Sequence, residues 1–130
     1  MMKRPKSPPY HPGQKTRPKK IRARSLGPLR ESNFGSHYFY QRALSLMRSN
    51  YFWEAHEYLE LVWRVSNLEP RQFLQALIQI CAYQVKKKQD LLQAKGRLRN
   101  SIRIRLEKFC LRDKKSYLGV TSKEINNWIE

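Results

Sequence analysis

Three residues of the chain stand at a spacing that can do chemistry: His56, Glu60 and Trp63, in the pattern H-x-x-x-E-x-x-W. On a helix turning 100° per residue, these positions fall within about 60° of one another. A His and a Glu at i, i+4 meet side by side. Such a pair can share a metal ion, act as a base with its orienting carboxylate, or satisfy each other's hydrogen bonds beside a buried Trp. Spacing leaves all three open, and a structural pair is the commonest outcome. Two protein ligands are too few for a zinc site. Further ligands would have to come from His37, Glu57 or a second subunit, because His11 lies far off in the N-terminal segment. A metal-assisted hydrolase using His56 and Glu60 is therefore the enzymatic alternative, without an assignable catalytic residue. The chain has no Gly-rich phosphate loop, Ser-His-Asp signature or Cys-His signature, so no cofactor is expected and a non-enzyme is favoured.

A second kind of chemistry lies in charge. The 130 residues hold 27 Lys and Arg against 10 Asp and Glu, a formal +17. The excess is divided unevenly. Residues 1–32 carry ten basic side chains and one acidic one, and residues 86–115 carry twelve against three, so each block is +9. Residues 33–85 are balanced at four of each sign, and the last fifteen sum to −1. The candidate phosphate contacts are Lys15, Arg17, Lys19, Lys20, Arg22 and Arg24 in the first block. In the second they are Lys86, Lys87, Lys88, Arg99 and Arg103.

The first block also contains six of the seven prolines. Few apolar groups, dense like charge and many prolines cannot offset the entropy of ordering, so residues 1–32 are expected to be a disordered arm. A solubilising tail, a nucleic-acid-binding arm and a targeting segment are the three readings of it. Lys19-Lys20-Ile21-Arg22-Ala23-Arg24 resembles a nuclear-import patch, a pattern of low specificity, while the prolines fit a mitochondrial transit peptide poorly. No apolar run reaches the ~18–20 residues of a membrane span, and no secretory h-region is present. Cys81 and Cys110 lack C-x-x-C spacing and suit small buried hydrophobes in a reducing compartment, so a cytoplasmic location is expected.

The elements that must position these residues are helical. Residues 33–130 are expected to form one all-α domain, a bundle of four to five helices. Tyr38, Phe39, Ala43, Leu44, Leu46 and Met47 predict a helix over 36–49. Ser49-Asn50 interrupts it and can cap the next. That second helix, 51–66, sets Phe52, Ala55, Leu59, Val62 and Trp63 on one stripe, with Glu54, Glu57 and Arg64 on the other side. Leu61, flanked by Tyr58 and Val65, is expected to face outward and to meet a partner helix. Pro70 suits the first turn of a third helix, 70–88, which is apolar nearly all round and hence central. Its Gln72, Gln75 and Gln79 form one polar stripe that needs partners if buried. Leu91, Ala94, Leu98, Ile102, Leu106 and Phe109 predict a fourth helix over 90–112 and outweigh the short strand-like run Ile102–Leu106. Thr121-Ser122 is a good N-cap for a last helix, 122–129, with Ile125 and Trp128 inward.

The stretch Tyr51-Phe52-Trp53-Glu54-Ala55-His56-Glu57-Tyr58-Leu59-Glu60-Leu61-Val62-Trp63-Arg64 resembles the signature helix of the domain of unknown function 309 family. Phe73-Leu74-Gln75-Ala76-Leu77-Ile78-Gln79-Ile80 is similar to its next helix, and Tyr117-Leu118-Gly119-Val120 to its C-terminal end. The resemblance covers about 33–130 and implies a small all-helical protein of unestablished biochemical role. The family's H-x-x-x-E-x-x-W residues fall on His56, Glu60 and Trp63. Two departures stand out: Ala76 where members often have Gly, and the Lys86–Asp90 run where a Gly-Asn turn is common.

Taken together, the sequence leads one to expect a small helical binding protein that meets RNA or DNA, or a ribonucleoprotein, through its basic arm and basic fourth helix. With Tyr10 the only aromatic of the arm, contact is expected with the phosphate backbone and with little sequence preference. The hydrolase and a self-associating homodimer are the alternatives.

Overall fold

The computed structural model describes residues 27–88, 92–109 and 116–130. The expectations for residues 1–26, Leu91, Cys110 and residues 111–115 lie outside them. Among the described residues five α-helices follow in order: α1 (Tyr38–Arg48), α2 (Phe52–Val65), α3 (Leu68–Lys88), α4 (Leu92–Leu106, extended by a 3-10 turn Glu107–Phe109) and α5 (Ser122–Trp128). Among the described residues no strand forms, only an isolated bridge between Tyr117 and Val120. The all-α bundle expected from periodicity is what the chain builds.

Short connections force neighbouring helices to run antiparallel. Thus α2 packs on both α1 and α3, and α3 packs on α4. The core is one cluster that includes Tyr40, Leu44 and Met47 of α1, Ala55, Leu59 and Val62 of α2, and Phe73, Leu77 and Ile80 of α3. Ile102 and Leu106 join it from α4, and Ile125 and Trp128 from α5, as their spacing predicts. Phe73, Phe109 and Tyr117 close one end, with ring centroids 4.7–5.3 Å apart. Burial, followed by the charges of Glu31 and Glu69, pushes the Tyr117 hydroxyl up to about 12.

Local chemistry sets the ends. The α1 C-terminus is a Schellman closure: Asn50 takes φ 67, its N–H donates to Met47 O, and the Tyr51 N–H donates to Leu46 O at 2.8 Å. Ser49-Asn50 therefore stops α1, but does not cap α2, whose N-cap position is Tyr51 and whose end receives no side-chain capping bond from it. Thr121 does cap α5, in a reciprocal capping box with Glu124. Gly119 has φ 83, and a Cβ there would stand 3.1 Å from Phe34 Cε1, so both backbone and space require glycine.

Three further expectations are corrected. The ordered body begins no later than Gly27, not at Asn33. Leu29 is buried and its N–H donates to Ser66 Oγ at 2.9 Å, a tie across 37 positions. Leu61 does not face outward: it is 8% exposed, because α1 covers the back of α2, and Phe39 of α1 meets Tyr58 edge-on at 5.4 Å. That removes the exposed apolar patch on which self-association was argued. Glu54, expected on the polar side, is also buried, in the first turn of α2 where the helix dipole favours a carboxylate.

Candidate functional site

Helix α2 carries the motif along one edge. His56 Nε2 lies 3.5 Å from Glu60 Oε2, and its Nδ1 lies 3.7 Å from Glu57 Oε2. Glu60 also stands 3.8 Å from Arg64 Nη2, so its carboxylate lies between the His56 ring and the Arg64 guanidinium of the same helix. These distances are long for hydrogen bonds. The side chains are also part-exposed, His56 at 25% and Glu60 at 40%. The pair is thus looser and wetter than a locked core pair.

Trp63, the third motif residue, is half-buried and turns toward α3, where the Arg71 guanidinium sits 4.0 Å above its ring. The aromatic that meets His56 is instead Trp53, one turn earlier, with ring centroids 5.8 Å apart and planes 20° from parallel. Trp53 lies outside the H-x-x-x-E-x-x-W pattern, which contains only the downstream Trp. Its i, i+3 spacing to His56 was the available signal.

The proposed third ligand is not available. His37 caps α1: its Nδ1 accepts the Tyr40 N–H at 3.4 Å, so its Nε2 carries the proton and donates to Gly27 O at 3.0 Å. Both ring nitrogens are committed to backbone. Among the described residues no three His, Cys, Asp or Glu side chains gather where they could hold a metal. His11 lies outside them.

Beside His56 a cleft of about 270 Å³ opens between α2 and α3, lined by Trp53, His56, Cys81, Ala82, Val85 and Lys86. Cys81 is wholly buried, and burial holds its thiol far above the ordinary range. Lys86 brings the basic block to the motif, a junction that spacing along the chain does not reveal.

The remaining predicted contacts divide by exposure. Lys87, Lys88 and Arg103 are exposed, Lys86 and Arg99 are half-buried, and the six of the arm lie outside the described residues. Lys87 Nζ donates to Glu130 O at 3.2 Å. Arg97, outside the set of candidate phosphate contacts, is exposed and lines an open groove of about 470 Å³ with Gln72, Asn100, Ser101, Ile104 and Arg105. The signal was positional, since residues 97, 100, 101 and 104 share a helix face. Gln79 meets the polar-stripe expectation: its amide donates to Ser101 Oγ at 3.2 Å and its carbonyl accepts from Arg105 Nε at 3.0 Å.

The fold and the cleft define a small all-α domain in which a nearly neutral helix pair adjoins a basic helical hairpin. The sequence model of the family described as Domain of unknown function (DUF309) matches residues 40–94, so this part of the chain is similar to that family. The match spans most of α1, all of α2 and α3 and the start of α4, including His56, Glu60, Trp63 and every residue of the cleft. It is narrower than the resemblance read over 33–130 and leaves the groove-lining part of α4 outside. No curated protein and no solved structure matches the chain. No helix among the described residues is long and apolar enough to cross a membrane.

Proposed function

We propose that this protein binds nucleic acid through its phosphate backbone, using the basic N-terminal segment and the outer face of the α3–α4 hairpin. The observation that carries the reading is the segregation of charge. Two +9 blocks flank a balanced body, and α4 itself, Leu92–Leu106, contains no carboxylate. Lys88, Arg97 and Arg103 are exposed and make no ion pair among the described residues, so their charge is available to an external anion. A polyanion gains most from such a surface, because every neutralised phosphate releases a counterion.

Salt-dependent binding of the full chain to duplex DNA and to RNA tests this. If about eight phosphates are neutralised, log K falls against log salt with a slope near −7 on duplex DNA. Replacing Arg97 and Arg103 by Gln should flatten the slope by about 2 and weaken binding evenly across sequences. Absence of salt-sensitive binding to any RNA or DNA at low salt would overturn the reading.

A further inference from the structure

The cleft between α2 and α3 has a composition that a surface for phosphate alone would not need. Its α2 side carries Trp53 and His56, whose rings stack on one another. The opposite side is small and apolar, formed by Ala82 and Val85 above buried Cys81. His56 Nδ1 is buried and has no hydrogen-bond partner, the nearest carboxylate standing at 3.7 Å. Lys86 closes the rim and makes no ion pair among the described residues.

An aromatic stack that a further ring can extend and one cation beside it together select a planar aromatic ring with an attached anion. The charges around the cleft also orient such a ligand. Glu57 and Glu60, 3.7 and 3.5 Å from the imidazole nitrogens, disfavour an anion on the α2 side. Lys86, Lys87 and Lys88 favour it on the α3 side. The volume of about 270 Å³ leaves room for one base and not for a stacked run.

We propose that this cleft receives a single nucleotide unit, the base extending the Trp53–His56 stack and its phosphate on Lys86. The inference deepens the nucleic-acid reading and rests on it for a polymeric source. A free mononucleotide presents the same chemistry. It also alters the expected specificity: a protein whose basic segments read only backbone would gain, here, a preference for unstacked bases, since stacking requires a base out of the duplex.

The test follows the Trp53 indole and His56 ring signals by NMR in the full-length protein. The probes are adenosine monophosphate, a single-stranded oligoadenylate, a duplex of equal length and inorganic phosphate. Both signals should shift with the mononucleotide and the single strand, and not with the duplex or inorganic phosphate. Ala82→Leu, which fills the cleft without changing charge, should abolish these shifts and lower single-strand affinity by about tenfold while leaving duplex affinity unchanged. The wild-type titration decides the matter even if that variant does not fold. Salt-sensitive duplex binding with unmoved cleft signals for every base-bearing probe would overturn the cleft and leave the backbone reading standing. Cleft shifts with the mononucleotide, but no binding of any polymer, would overturn the backbone reading and retain the cleft as a mononucleotide site.

Discussion

Two histidines of this chain sit in opposite circumstances. His37 is 3% exposed, belongs to no motif, and has both nitrogens bonded to backbone. Along the helix that it caps, Tyr40 donates to Leu118 O at 2.7 Å, and at the far end Arg48 spans Glu124 and the Gly119 carbonyl. His56, the motif histidine, has longer contacts, part exposure and a buried, unpartnered Nδ1, and its ring borders a cleft. The contrast teaches that polar satisfaction marks where the fold is held, and its absence marks where something else can be held. A buried donor or acceptor left alone costs about 1–3 kcal/mol, so a satisfied cluster stabilises and an unsatisfied one is kept at a cost.

The comparison can be pressed hardest at Tyr40. Tyr40→Ala empties a wholly buried site and strands Leu118 O, and denaturant unfolding should register a loss of about 3–5 kcal/mol. Next comes the paired test. His37→Ala removes a helix cap and a long-range bond, for about 1–3 kcal/mol, whereas His56→Ala should cost under about 1 kcal/mol. Equal losses in the two variants would erase the distinction between the regions. Gly119→Ala must adopt a left-handed backbone against Phe34, so a loss of about 1 kcal/mol is expected, visible as a lowered melting temperature.

The smallest effect is a pH dependence. Burial alone would raise the Glu124 carboxyl, but the Arg48 hydrogen bond, the Thr121 backbone bond and the Arg48 charge outweigh it and leave it below the ordinary 4.5. A carboxylate depressed in the folded state contributes its stability above the unfolded pKa and loses it as pH falls through the folded one. Stability should therefore be flat near neutrality on this account and decline below about 4.5. Glu124→Gln should lack that component of the decline, at a cost at neutral pH under about 1 kcal/mol for so exposed a pair.

Helices were legible because their signals are local. The i, i+3, i+4 apolar spacing located α1 to α3, Pro70 sits in the first turn of α3, and Thr121 caps α5 through a bond three residues long. What escaped depended on distant partners. Leu29 is one apolar residue in a basic, proline-bearing context, and its burial rests on Ser66. Leu61 looked outward because a helical wheel knows one buried face, whereas α2 lies between α1 and α3 and has two. The motif itself was readable, but its company was not. Trp63 pairs with Arg71, and the cleft beside His56 is completed by Cys81, Ala82, Val85 and Lys86 from α3. Adjacency of that kind follows from how two helices cross, which no single-helix pattern contains.

Cys81 gives the cleft a clock. Its thiol has no exposure and is held protonated by its surroundings, so an alkylating reagent reaches it only when α2 and α3 part. With Cys110 replaced by Ser, the modification rate becomes a direct measure of how often, and at what free energy, this seam opens. A ligand wedged between Trp53 and Val85 would slow that clock from the same floor over which it lies.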